Sequence, residues 1–161
     1  IRSVPTLILD DQFRWTGTVE LDEILNTIQR RAPTQLSTET LASMISDGNA
    51  YGLSERMLKA GCIFPGFIDL LTHEAFSIRL GAMAAAEEIA ERRVSLAVQM
   101  AALLADRFEQ QSDAVKGDIL YIIGASGDER SIDFLGKIST GDYSKDVKEA
   151  AADALEEICS R

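Results

Sequence analysis

Apolar residues recur along this chain with two different periods, and the change of period divides it. Val4-Pro5-Thr6-Leu7-Ile8-Leu9 is a β-rich run that begins at a proline, and Asp10-Asp11-Gln12 supplies turn residues. Phe13-Arg14-Trp15-Thr16 is a second short run, closed by Gly17. That order predicts a β-hairpin. From Glu20 the period lengthens, and Leu21, Ile24, Leu25 and Ile28 fall on one face of a helix. Asp22 and Glu23 lie in its first turn and Arg30 and Arg31 in its last, which suits the helix dipole. Arg31-Ala32-Pro33-Thr34-Gln35 breaks the helix and reads as a linker.

Beyond the linker the helical period dominates. Leu36, Leu41, Met44 and Ile45 predict one helix, stopped by Asp47-Gly48-Asn49, and Leu53 to Ala60 a second, ended by Gly61. After Pro65 the pattern repeats. Ile78, Gly81, Ala82, Ala85, Ala86 and Ile89 share their spacing with Val147, Ala150, Ala151, Ala154, Leu155 and Ile158. Val115, Ile119, Ile122 and Ile123 form a middle copy, 37 residues after the first and 32 before the last. A basic residue follows the first apolar one in each: Arg79, Lys116 and Lys148.

Each of these helices has a partner before it, marked by Phe67, Leu70 and Leu71, then by Val94, Ala97, Val98, Ala101, Leu104 and Phe108, then by Ile132, Leu135 and Ile138. Small alanines let paired helices approach closely, while Ile, Leu and Val fill the space between pairs, so no pair buries both faces alone. Gly127 and Gly141 suit helix C-termini, and Asp128 and Asp142 suit the N-caps that follow. The expected fold is mainly α: an α–α solenoid of about three to four helix pairs, preceded by a hairpin and helix.

Two resemblances give this reading names. Ile1-Arg2-Ser3-Val4-Pro5-Thr6, with the two strands and helix after it, resembles the end of a thioredoxin fold, over about 30 residues. The resemblance implies that Pro5 matches the family's cis-proline and that a Cys-x-x-Cys pair would precede Ile1; this chain has none. Asp146-Val147-Lys148-Glu149-Ala150-Ala151-Ala152-Asp153-Ala154-Leu155 is similar to the second-helix signature of HEAT repeats of the short bacterial, phycobilin-lyase-like type. That similarity implies a scaffold or recognition surface. The expected organisation is a thioredoxin-like remnant over 1–31, a linker and degenerate helical pair over 32–65, and HEAT-like repeats over 66–161. Starting at Ile1, the chain reads as a piece of a longer protein.

Charge narrows the partners. The net charge is −10, with 16 Lys and Arg against 26 Asp and Glu, and most of the excess lies after residue 60. An acidic helical array repels phosphate backbones, which argues against nucleic acid and leaves a protein partner of unknown identity. No run of apolar residues is long enough for a membrane span, and no signal peptide is present, so a cytoplasmic location is expected. Cys62 and Cys159 are 97 residues apart, match no metal or redox spacing, and are expected to be buried.

Few residues invite a chemical role. Asp118 falls on the seam where the other copies have Gly81 and Ala150, so it needs a partner, with Arg79, Lys116 and Lys148 the candidates. His73 is the single histidine and makes neither a metal site nor a triad. Tyr121, Met100 and Phe108 sit at core spacing. Trp15 is expected to anchor the hairpin to the helices or to belong to an interaction surface. Gly124-Ala125-Ser126-Gly127 ends a helix and is too short for a phosphate loop. No catalytic centre, metal or cofactor is called for. An isolated hairpin exposes unpaired edges, so it is also a candidate homodimer surface. The favoured reading is a non-catalytic protein–protein scaffold. Its rivals are part of a thiol–disulfide oxidoreductase and a bilin lyase or chaperone.

Overall fold

In the computed structural model, which describes residues 5–9, 13–30 and 36–160, β1 (Thr6–Leu9) and β2 (Phe13–Thr16) pair antiparallel. Leu7 lies opposite Trp15 and Leu9 opposite Phe13. Because side chains alternate along a strand, these four share one face and Ile8 lies on the other. The rings of Phe13 and Trp15 stack at 6.3 Å, and the Gly17 amide donates to the Pro5 carbonyl at 2.9 Å. The turn at residues 10–12, the peptide bond from Val4 to Pro5 and the linker at 31–35 lie outside the described residues.

Helix α1 (Leu21–Arg30) follows, and the Trp15 indole donates to Glu23 Oε1 at 3.0 Å. Trp15 therefore ties the hairpin to α1. The apolar face of α1 is left uncovered, with Leu21, Leu25 and Ile28 all exposed.

The rest is helical. Helices α2 (Thr38–Ser46), α3 (Ala50–Ala60), α4 (Pro65–Leu71) and α5 (Phe76–Arg92) come first. Helices α6 (Val94–Ala105), α7 (Asp113–Ser126), α8 (Ile132–Thr140) and α9 (Lys145–Cys159) complete the chain. Local chemistry explains many of the ends. Ser37 and Asn49 cap α2 and α3 by accepting from Thr40 and Gly52 amides, and Pro65 opens α4, where its missing N–H has no partner to lose. Gly61 and Gly127 end α3 and α7 in the left-handed region, at φ 72° and 65°.

One expected cap moves. Asp128 does cap the 3₁₀ turn after α7, accepting from the Arg130 amide, but the cap of α9 is Ser144, not Asp142. The chain leaves Gly141 in an extended conformation, with ψ −174°, which delays the helix until Lys145 and leaves Asp142 two residues ahead of the cap.

Packing gives the helices two rows. Helices α3, α5, α7 and α9 touch in series, as do α2, α4 and α6, and α4, α6 and α8 each also pack on the helix that follows them. A single core runs from Leu36 to Ile158. Its largest fully buried side chains include Phe64, Phe67, Phe108 and Met100, and burying each contributes about 1.5–3 kcal/mol. Phe108 meets Phe134 and Tyr143 edge-on at 5.4 and 5.9 Å. The molecule is thus mainly helical with a small two-stranded sheet. Among the described residues no helix is long and apolar enough to cross a membrane.

Three burial expectations need correction. Tyr121 is half exposed, unlike Met100 and Phe108. Cys159 is exposed and Cys62 only partly buried, and both are free thiols. Ile158 takes the core-facing position at the end of α9, which turns Cys159 about 100° away from it.

Candidate functional site

The residues singled out by the sequence do not converge on one site. The structure brings together Arg79 and Asp118. Arg79, buried on α5, donates from Nε to Asp118 Oδ2 on α7 at 2.8 Å. Its Nη1 donates to the carbonyls of His73 and Glu74 at 2.7 and 3.0 Å, and the guanidinium lies 5.6 Å from the Phe76 ring centroid. The charge is therefore held by a carboxylate, two backbone oxygens and an aromatic ring. His73 Nδ1 accepts from the Ala75 amide at the start of α5.

The other candidates lie apart. Lys116 Nζ lies 5.3 Å from the centroids of both Phe108 and Tyr143, a packed cation–π position. Lys148 is half-buried on α9. Trp15 and Pro5 belong to the hairpin end.

A different set of residues does converge. Helices α5, α7 and α9 open a groove of about 580 Å³ along their shared face. Its floor is small: Ala90 of α5, Gly124 and Ala125 of α7, Ala150 and Ala154 of α9. A β-carbon on Gly124 would lie 2.9 Å from Ala154 Cα, so glycine is what lets α7 and α9 approach this closely. Glu87 and Glu91 on one flank and Asp153 and Glu157 on the other supply the rim, and all four are exposed. Among the described residues the lining holds no lysine, arginine or histidine.

Tyr121 stands in the middle. Its hydroxyl donates to Glu87 Oε1 at 2.7 Å, joining α7 to α5. That hydrogen bond, then partial burial and the charges of Glu87 and Glu157, push the phenol above its ordinary range. A second tyrosine is held the same way between α8 and α9, where Tyr143 donates to Glu109 Oε1 at 2.6 Å; both pairs are separated by 34 residues.

The sequence held a faint sign of the groove. Counted from the first apolar residue of its copy, Tyr121 has the same place after Val115 as Asp153 has after Val147. Gly124 likewise has the place that Glu87 has after Ile78. Superposing the copies would have placed them on one face.

The chemistry available there is recognition of positive charge. The rim carboxylates are spread over the groove's flanks, and among the described residues no cluster of His, Cys, Asp and Glu is placed to hold a metal ion. Comparison with protein-family models, with curated proteins and with solved structures yields no match.

Proposed function

We propose that the chain is a protein-recognition scaffold: a HEAT-like α-solenoid whose α5–α7–α9 face receives a partner. One observation carries this reading. Three helices separated in sequence by intervening helices lie side by side and leave a groove along one face, above the close α7–α9 contact at Gly124 and Ala154. Stacked helical pairs present extended surfaces of this kind, and macromolecular partners use them. Other ion pairs link separate segments and brace the array: Arg92 to Glu55, Arg107 to Asp69, and Arg79 to Asp118. In a longer parent with a thioredoxin-like domain ahead of it, such an array would hold a client beside that domain.

Hydrogen exchange of the full chain with and without a captured partner tests the scaffold. Slowed exchange in α5, α7 and α9 supports it. A partner that protects only the hairpin and α1 contradicts it.

A further inference from the structure

We infer that the groove between α5, α7 and α9 docks an extended, lysine- or arginine-bearing segment of a protein partner. The inference rests on the scaffold reading and names what that scaffold would hold. Four features select this occupant together. The groove is concave and open along three helices, so a chain can lie in it without opening the core. Its small floor, with Gly124 and Ala154 buried at the base, admits backbone and the aliphatic stems of long side chains. The Tyr121 hydroxyl is engaged by Glu87 while the side chain stays half exposed, which leaves ring surface against which a cation can rest. Glu91 and Asp153 stand exposed on opposite flanks, and none of the described lining residues is a cation.

Charge then decides between chains. An acidic segment would place like charges against Glu91 and Asp153. A neutral one would leave their field unused. A basic one pairs with both flanks and gains in encounter rate as well as in residence. Lysine and arginine stems also match the apolar floor, which a compact cation would not use.

The test is fluorescence anisotropy of the full chain with a labelled peptide alternating lysine and serine. The control peptide carries glutamate in place of lysine. The expected result is saturable binding of the lysine peptide only, weakened steeply by salt. The double variant Glu91→Lys, Asp153→Lys should lose affinity by about tenfold or more and should bind the glutamate peptide instead. Glu39→Lys on α2, away from the groove, should leave binding unchanged. Circular dichroism on each variant separates lost binding from lost fold.

Equal binding by the wild type and the double variant overturns the inference, as does binding of the glutamate peptide by the wild type. Displacement of the lysine peptide by spermine at matched charge concentration would make the occupant a small polycation and overturns the peptide assignment. Absence of all binding overturns the basic-segment inference but not the scaffold, because partner protection of the α5–α7–α9 face is measured separately.

Discussion

Arg79 Nε donates to Asp118 Oδ2 across 2.8 Å, with the two side chains 7 % and 20 % exposed. This pair joins α5 to α7. Asp118→Ala leaves a buried guanidinium with two carbonyls and the Phe76 ring but no counter-charge, and should cost about 2 kcal/mol, less than for a fully enclosed pair. Replacing both, as Arg79→Met with Asp118→Leu, should cost less than Asp118→Ala alone. Urea denaturation of the three proteins checks the order, and an unchanged midpoint for Asp118→Ala would remove the pair from the account.

Glycines in the long helices should split into two kinds. Gly117 and Gly136 have open space where a β-carbon would go, whereas Gly124 has Ala154 Cα at 2.9 Å. Gly117→Ala and Gly136→Ala should each stabilise by about 0.5–1 kcal/mol through helix propensity. Gly124→Ala should destabilise by about 1–3 kcal/mol by forcing α7 from α9. Thermal melts of the three variants test the contrast, and a stabilised Gly124→Ala would contradict the close approach.

Acid stability should depend on Asp128. The side-chain hydrogen bond from Arg130, joined by its backbone amide and its charge, holds the Asp128 carboxyl below its ordinary range. A lowered folded pKa means the contribution is present above the ordinary carboxyl value and is lost as pH falls through the folded one. Asp128→Asn should therefore flatten the fall in unfolding free energy on going from neutral pH to about pH 3. An identical slope in wild type and variant would show that the pair adds nothing.

At the alkaline end the sign reverses. Tyr121 is raised by its hydrogen bond to Glu87, so its contribution is present below the ordinary phenol value and lost as pH rises through the folded one. Glu87→Ala should bring one phenol down in an ultraviolet titration. Tyr143, raised by Glu109, should stay where it is.

How much of this was legible follows from what periodicity encodes. Spacing of three and four sets which side of a helix is apolar, and it located the alanine-rich faces of α5 and α9 through Ala82, Ala85, Ala86, Ala151 and Ala154, all of them buried. It also marked Asp118 as a residue that needs a partner. It does not set how helices align along their axes, and the groove depends on that alignment: Glu87 meets Tyr121 only because α5 and α7 sit in one particular register. Tyr121 is a different case: it falls beside Ile122 and Ile123 but off the apolar spacing they share with the other copies, so its exposure was legible and its bond to Glu87 was not. Ser144 was missed for a local reason, since the extended backbone after Gly141 is not written in residue types. The apolar face of α1 was legible as a helix face, but its exposure at Leu21, Leu25 and Ile28 was not.

The most direct test of the account is amide chemical-shift mapping of the full chain titrated with the lysine–serine peptide. Shifts should be confined to the groove, at Tyr121, Gly124, Ala150 and Asp153 on α7 and α9 and at Glu87 and Glu91 on α5. Shifts centred instead on the exposed Phe76 and Leu80, or on the hairpin and α1, would contradict it.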